Sequence, residues 1–291
     1  MAPEVVFHEG ERSKPLVVFI HGMGMNGRVW SEPSKARILG GKYPLSVLLG
    51  QCAGKPESSF ADLRGRGYNV LSWSQSRPVG PVEAAVSELK ELTEMYGGSA
   101  EKGIIFVCHS RGGLVARKYL ESPDAPVRGL ITLATPHHGT SMAKWAAYLS
   151  PLTSAADRLL LGFGKREVDS ALRRIVAFLG SSGLKELLPG SVFFTGLSDS
   201  KVTEARYASA GGTSPDLLRA LSVSLPAIFS AVIPEVILPE EMREGSGDGL
   251  VSAASSVLPH ADRHRDFHVN HGSILCDAGV RRYVLEAVES M

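Results

Sequence analysis

Apolar positions in this chain form two patterns that alternate along the sequence, namely short uninterrupted runs and stripes with helical spacing. The clearest run, residues 103–108, is rich in β-branched side chains and has the length of a strand buried on both faces. Similar runs occupy residues 16–20, 68–73, 127–133 and 191–197. Strands that alternate with helices predict a mainly parallel, doubly wound sheet, which is an α/β fold.

The helical stripes lie between these runs. Residues 82–96 carry apolar side chains at a spacing near 3.6, Pro81 suits the start of that helix, and a pair of glycines ends it. A second helix directly follows the run at 103–108, and a last one covers residues 280–288. The order of elements therefore stays consistent with one doubly wound sheet.

Residues 141–189 depart from this alternation because they carry two amphipathic stripes and no core strand. The first stripe consists of Met142, Trp145, Ala146 and Leu149. We therefore expect one catalytic core from residues 1–140 and 190–291, with 141–189 inserted as a helical cap and 201–244 as a candidate extension of it. The alternative is that the stripes belong to ordinary packed helices with no gating role.

Composition narrows the function classes. Of the 291 residues 44% are apolar, which is enough for a large core, and the formal net charge is +1. A near-neutral chain without a basic patch indicates neither nucleic acid nor an anionic membrane surface as a partner. The longest apolar stretch, residues 225–238, is too short to span a bilayer and contains two prolines.

The N-terminus and the cysteines give weaker expectations. The first residues lack the charged and apolar regions of a signal peptide, so the sequence favours a soluble, cytoplasmic protein. Cys52, Cys108 and Cys276 are widely spaced and show no C-x-x-C pair, which argues against a disulfide framework and against a cysteine-based metal site.

The strand at 103–108 runs into the sequence C-H-S-R-G-G, where Ser110 sits between a buried strand and a helix. A serine in this context, with Gly112 two residues later, has the strand–turn–helix setting of the nucleophile elbow G-x-S-x-G. Cys108 replaces the first glycine, and we interpret it as a tolerated small residue. An ordinary glycine-rich turn is the alternative. The pattern favours Ser110 as a nucleophile.

The strand at 16–20 ends in H-G-M-G, a loop of the kind that supplies half of an oxyanion hole. Glycines let the backbone pass close to a substrate, and a free N–H can then point at the developing oxyanion. The two expected donors are the backbone N–H groups of Met23 and Arg111. His21 and Gly22 are candidate substrate contacts, as is Trp145 in the predicted cap.

The candidate acid and base follow near the C-terminus. Asp248 lies between two glycines in a tight loop, which suits a carboxylate that orients a histidine, and Asp199 is the rival because it also follows a predicted strand. His271 lies in a short loop just before the last helix. The order Ser110, Asp248, His271 matches the chain order of α/β-hydrolase enzymes rather than of the two serine-protease arrangements.

The remaining histidines are weaker candidates for a functional site. The adjacent pair His137 and His138 suggests a metal site, but neighbours on a chain point in different directions and no third residue has ligand spacing. A structural loop beside the active site is the favoured interpretation. His264 and His268 fall on or next to a predicted strand and are expected at the surface.

Five motifs together resemble the bacterial lipase and esterase branch of the α/β-hydrolase superfamily. These are H-G-M-G, C-H-S-R-G-G-L-V-A-R, A-T-P-H-H-G-T, G-D-G-L-V and V-N-H-G. The D-G-L-V and T-P-H-x-G-T pieces look like those of true lipases, and the elbow is similar to that of lipase-like GPI-deacylases. Residues 30–65 and 141–240 carry no matching motif.

The resemblance implies a serine carboxylic ester hydrolase that acts through an acyl-enzyme on a small ester or lipid and needs no cofactor. It also implies Ser110 as nucleophile, with Asp248 and His271 as its partners. Calcium-binding lipases of this type carry an aspartate two residues after the histidine, where this chain has Ser273, so a calcium-independent esterase is expected. An amidase, a lactonase, an acyltransferase and a binding protein that has lost turnover remain as alternatives.

Overall fold

The computed structural model describes residues 4–38, 57–122, 127–142, 181–198, 200–202, 204–215 and 239–291. In this part of the chain a sheet of seven strands has the order β1-β3-β2-β4-β5-β6-β7. All neighbouring strands are parallel except β1, which pairs antiparallel with β3 at one edge. The strands are β1 Val5–His8, β2 Leu16–Ile20, β3 Asn69–Trp73, β4 Ile104–His109, β5 Val127–Leu133, β6 Arg206–Gly212 and β7 Arg263–Phe267.

Helices cover both faces of the sheet, as the continuous apolar runs require. On one face, alternate strand residues such as Phe19 and Val107 pack against α1 Arg28–Ser31, α2 Ser59–Gly65 and the last helix, α7 Ala278–Glu289. On the other face, residues such as Val18 and Phe106 pack against α3 Val82–Met95 and α4 Arg111–Tyr119. The predicted doubly wound α/β-hydrolase fold is confirmed.

One predicted strand is wrong. Residues 191–197 were expected to form a strand because Val192, Phe193 and Phe194 favour one. They instead contain the short helix α6 Val192–Gly196, which follows another short helix, α5 Ser182–Glu186. The Ser191 hydroxyl accepts a hydrogen bond from the Phe194 amide as an N-terminal cap. In the described part of the chain this segment pairs with no strand, so capping and packing decide its conformation rather than β propensity.

Strand β6 lies within residues 190–291, which the sequence assigned to the core. It lies within residues 201–244, which were offered as a candidate extension of the cap, yet it pairs with β5 and β7 inside the core sheet. Most of the expected cap, including Trp145, lies outside the described residues.

The chemistry of the cysteines also differs in part from the expectation. Cys276 is disulfide-bonded, although the spacing of the cysteines argued against a disulfide framework. Separation along the chain sets no limit on how near two cysteines lie in the fold.

Among the helices that the structure describes, none has the length and apolar character needed to cross a membrane.

Candidate active site

Ser110 forms a sharp turn between β4 and α4. Its backbone has φ 53° and ψ −131°, a conformation that non-glycine residues rarely adopt. The Ser110 amide donates to the Leu133 carbonyl at 2.9 Å, and the Ser110 carbonyl accepts from the Thr135 hydroxyl at 2.8 Å. The end of β5 therefore holds the turn in its strained form. The side chain stays at the surface of the core, 8% exposed.

Cys108 stands where the bare elbow motif has its first glycine. Its side chain is fully buried on the α3–α4 face of the sheet, and its sulfur is free. Burial raises the pKa of this thiol well above its ordinary value, so it remains protonated. The residue acts as a small apolar core side chain, as the sequence suggested.

Asp248 and His271 form a buried pair beside the elbow. The Asp248 carboxylate accepts a hydrogen bond from His271 Nδ1 at 2.8 Å through Oδ2. Its other oxygen, Oδ1, accepts from the amides of Leu250 at 2.9 Å and Val251 at 2.7 Å. Because the carboxylate only accepts, the hydrogen of neutral His271 is on Nδ1 and the lone pair is on Nε2. This is the tautomer that a general base requires.

The loop that carries Asp248 is fixed by close backbone contacts. The Asp248 carbonyl accepts from the His271 amide at 3.0 Å, which gives the two residues a second link. Gly212, the last residue of β6, allows the approach, since a Cβ at that position would lie 2.7 Å from Asp248 Cβ. The sequence rival of Asp248, Asp199, lies outside the described residues.

His109 joins the elbow to the histidine loop. Its Nε2 donates to the His271 carbonyl at 2.9 Å, and the two imidazole rings are 4.7 Å apart between centroids. Burial, followed by the nearby His271, lowers the pKa of His109 well below its ordinary value, so the ring is neutral. No hydrogen bond joins the Ser110 hydroxyl to His271 among the described residues, as is common in enzymes without substrate. The contact between the two loops runs through His109.

The H-G-M-G loop after β2 passes directly over the elbow. A Cβ on Gly22 would lie 3.0 Å from Ser110 Cβ and 2.8 Å from His109 Nδ1, so only glycine allows this approach. None of the described residues accepts a hydrogen bond from the Met23 or the Arg111 amide. These two N–H groups are therefore available to an anion next to Ser110.

His21, the first residue after β2, lies inside the protein. Its side chain is fully buried, Nε2 accepts from the Gln75 amide at 3.0 Å, and Nδ1 bonds the Gly22 carbonyl at 2.8 Å. Burial is the main cause that lowers the pKa of His21 to about 4. With both nitrogens bonded inside the protein, His21 shapes the loop.

The two adjacent histidines after β5 have different environments. His137 is buried, its Nε2 donates to the Thr132 hydroxyl at 3.0 Å, and its Nδ1 lies 3.4 Å from an Arg117 nitrogen. Burial, then the charge of Arg117, lowers the pKa of His137 well below its ordinary value. His138 is exposed and uses its amide to bond the Ser255 hydroxyl at 3.3 Å. The described contacts of this pair are structural.

A second Ser–His–Asp arrangement occurs between β6 and β7. His264 Nδ1 bonds the Ser209 hydroxyl at 2.8 Å, and its Nε2 lies 3.0 Å from Asp266 Oδ1. Ser209 is fully buried inside the sheet, and its hydroxyl also accepts from the Leu258 amide at 3.2 Å. A substrate carbonyl cannot reach it. The sequence placed His264 at the surface and offered no sign of this contact.

Three buried histidines that stay neutral give the fold a pH dependence. The unfolded chain binds protons near the ordinary histidine pKa of about 6.5, whereas the folded chain resists them. The pKa values of His21, His109 and His137 are lowered in the folded state. The contribution of these three histidines to the free energy of unfolding should therefore be complete above about pH 6.5. It should be lost progressively as the pH drops below that value.

We expect His137→Gln to reduce this slope by about 1.4 kcal/mol per pH unit below pH 6.5, because one proton uptake on unfolding is removed. Urea unfolding at several pH values measures it, and only the slope is compared because the substitution also shifts absolute stability. His268→Gln, at a side chain that is 73% exposed, is the control for the replacement of a histidine by glutamine. Equal slopes for wild type and His137→Gln would contradict the prediction.

The chain belongs to the alpha/beta hydrolase family, whose model matches residues 17–281. A pimeloyl-[acyl-carrier protein] methyl ester esterase of Vibrio atlanticus (strain LGP32) is 25% identical over 272 residues, covering 91% of this chain and 90% of the relative.

Solved structures share the fold. Lipase BlEst2 of Bacillus licheniformis has a TM-score of 0.60 at 15% identity in its propeptide form, with 99% of this chain and 53% of that one covered. Its mature form gives a TM-score of 0.53 at 17% identity, with 98% and 97% covered. A metagenomic carboxyl esterase gives 0.53 at 14% identity, with 97% of this chain and 76% of that one covered.

Proposed function

We propose that this protein is a serine carboxylic ester hydrolase in which Ser110, His271 and Asp248 act as nucleophile, base and acid. The observation that carries the proposal is the buried Asp248–His271 hydrogen bond of 2.8 Å beside the strained turn of Ser110. The pair leaves Nε2 of His271 as the free base, and the two unbonded amides of Met23 and Arg111 supply an oxyanion site.

The reaction then proceeds in two halves. His271 Nε2 takes the proton of the Ser110 hydroxyl while Oγ attacks the ester carbonyl carbon. The carbonyl oxygen becomes an oxyanion and accepts hydrogen bonds from the Met23 and Arg111 amides. The alcohol leaves with the proton held by His271, and the acyl group stays on Ser110. Water, deprotonated by His271, attacks this acyl-enzyme and releases the acid.

Helix α5 and the residues that follow it lie close to the proposed site. Helix α5 lies next to the proposed oxyanion loop, since a Cβ on Gly183 would meet Met23 Cε at 2.7 Å and the Gly80 carbonyl at 2.5 Å. Leu184 and Leu187 of this segment pack with Leu114 of α4, and Met23 lies against that cluster. This placement supports the proposal that residues 141–189 cover the site as a cap.

Labelling with a fluorophosphonate tests the proposed nucleophile. We expect one covalent adduct, and peptide mass spectrometry should place it on Ser110, because activated serines of this class attack phosphorus as they attack a carbonyl. Asp248→Asn should slow the labelling, since His271 would lose its orienting partner. An adduct on another serine, or labelling that continues in Ser110→Ala, would overturn the assignment.

A substrate panel tests the reaction class. We expect hydrolysis of p-nitrophenyl and methyl esters by the wild type and none above background by Ser110→Ala. Methyl esters are included because the name of the Vibrio relative specifies a methyl ester. Faster turnover of matched amides or lactones would replace the ester assignment with one of those activities. Covalent labelling without turnover of any substrate would favour a binding role.

A further inference from the structure

The side chain of Arg111 is fully buried, which is rare for arginine. Arg111 follows Ser110 at the start of α4, and its guanidinium is shielded from solvent. No carboxylate in the described part of the chain lies within ion-pair distance of it. Burial lowers the pKa of Arg111 to about 10, so the group stays protonated at neutral pH and keeps all its donors.

The guanidinium donates to a single loop, residues 75–81, which follows β3. Nη1 reaches the Gln75 side-chain oxygen at 2.9 Å and the Pro78 carbonyl at 3.4 Å. Nη2 reaches the Gly80 carbonyl at 2.8 Å and the Pro81 carbonyl at 3.1 Å. Four acceptors in seven residues fit the planar fork of arginine and cannot all be reached by the single ammonium of lysine.

That loop in turn holds the H-G-M-G loop on both sides of Met23. Before Met23, the Gln75 backbone N–H donates to His21 Nε2 at 3.0 Å. The Gln75 side-chain Nε2 donates to the His21 carbonyl at 3.2 Å. After Met23, the Gly24 amide donates to the Pro78 carbonyl at 2.9 Å, the same oxygen that accepts from Arg111.

We propose that the Arg111 side chain is a positioning residue for the oxyanion hole. The backbone of Arg111 supplies one proposed donor, and its guanidinium, through residues 75–81, fixes the loop that supplies the other at Met23. One residue thereby sets the distance between the two N–H groups. The inference rests on the proposed function, because it assigns the two amides to an oxyanion.

The direct test is Arg111→Met, which keeps the backbone N–H. It removes the guanidinium and its hydrogen bonds to residues 75–81, which together are called the clamp below. We expect kcat for p-nitrophenyl butyrate to fall about 10- to 100-fold with KM little changed, because a misplaced donor loses much of the 10²–10³-fold effect of one oxyanion contact. Affinity for a trifluoromethyl ketone, which forms a tetrahedral oxyanion on the serine, should fall by a similar factor. Arg111→Lys should recover part of both losses.

Arg117→Met is the matched control. Arg117 lies on the same helix, is nearly as buried, and bonds the His137 carbonyl at 3.2 Å rather than residues 75–81. The Arg117→Met variant should have a lower melting temperature. Its kcat, measured on folded enzyme, should stay within about 3-fold of the wild-type value, because the Met23 amide is not displaced. Equal kcat losses in Arg111→Met and Arg117→Met would overturn the inference, because they would indicate a general packing effect.

Gln75→Met provides a variant that removes no charge, in case Arg111→Met does not fold. It breaks both the Arg111 contact and the side-chain bond to His21. If the clamp is real, Gln75→Met and Arg111→Met lower kcat less than additively when combined. Strictly additive losses would contradict a shared network.

Amide hydrogen exchange separates this inference from the proposed function. Exchange in the peptide that contains Met23 and Gly24 should become faster in Arg111→Met and in Gln75→Met but not in Arg117→Met. This result needs no turnover, so it holds even if Ser110→Ala shows that the proposed function is wrong. If exchange in this peptide is unchanged in Arg111→Met while the wild-type enzyme hydrolyses esters, the positioning role of Arg111 is wrong. The proposed function would then still hold.

Discussion

Replacing Ser110 by alanine is expected to lower kcat for ester hydrolysis by about 10⁶-fold, the loss seen when a triad nucleophile is removed. Two other serines that contact a histidine residue are not placed to take over. Ser209 is fully buried, and Ser255 uses its hydroxyl to bond the Gly139 carbonyl at 2.7 Å. The fold should survive, because the Ser110 hydroxyl bonds no described residue and its removal leaves no buried partner unpaired. Initial rates with p-nitrophenyl butyrate and circular dichroism measure the two effects.

Ser209→Ala is the control for this substitution. Ser209 has a histidine and an aspartate in the same hydrogen-bonded order as the proposed site, yet it lies inside the sheet. We expect it to lose stability, because Leu258 and His264 lose a buried partner, and to keep its kcat. A Ser110→Ala variant that retains more than about 1% of wild-type kcat would contradict the proposed nucleophile.

The sheet was largely predictable because most of its strands are buried on both faces. Residues 16–20 and 104–108 read as uninterrupted apolar runs, since α1, α2 and α7 cover one face and α3 and α4 the other. A polar position in such a strand would have to face a helix on either side. The pattern therefore predicts both the strands and the doubly wound architecture.

Strand β6 escaped prediction because its neighbours require small side chains. A Cβ on Gly211 would meet the Ser256 hydroxyl at 2.4 Å, and one on Gly212 would meet Asp248 Cβ at 2.7 Å. The sequence of this strand, R-Y-A-S-A-G-G, is thus chosen by contacts with residues more than thirty positions away and not by strand propensity. Single-sequence patterns contain no record of such contacts.

The predicted site residues divide in the same way. The elbow and the acid–histidine pair were visible because each motif is local, and the structure brings Asp248 and His271 together. The buried environment of His21 was not visible, because it depends on Gln75, which is 54 positions away. The clamp between Arg111 and residues 75–81 is hidden for the same reason.

Asp248→Asn should lower kcat at neutral pH by about 10⁴-fold without unfolding the protein, because it places His271 in the wrong tautomer. The Oδ1 atom of Asp248 accepts two backbone hydrogen bonds, from Leu250 and Val251. In the Asp248→Asn variant the side-chain amide oxygen must take that position, since the amide nitrogen cannot accept. The NH2 group is then directed at His271 Nδ1, which becomes the acceptor, and the ring hydrogen moves to Nε2. His271 can then no longer remove a proton from Ser110.

Two control variants show whether this loss belongs to Asp248. Asp266→Asn changes the carboxylate of the buried Ser209–His264 arrangement and should keep wild-type kcat, since that serine cannot contact substrate. Asp199→Asn changes the rival that the sequence offered and should also keep most activity. The measurement is kcat at neutral pH for the three variants, with melting temperatures to establish that each is folded. A large loss in Asp199→Asn together with a nearly active Asp248→Asn would transfer the acid role to Asp199, and the bond from Asp248 to His271 would then be structural.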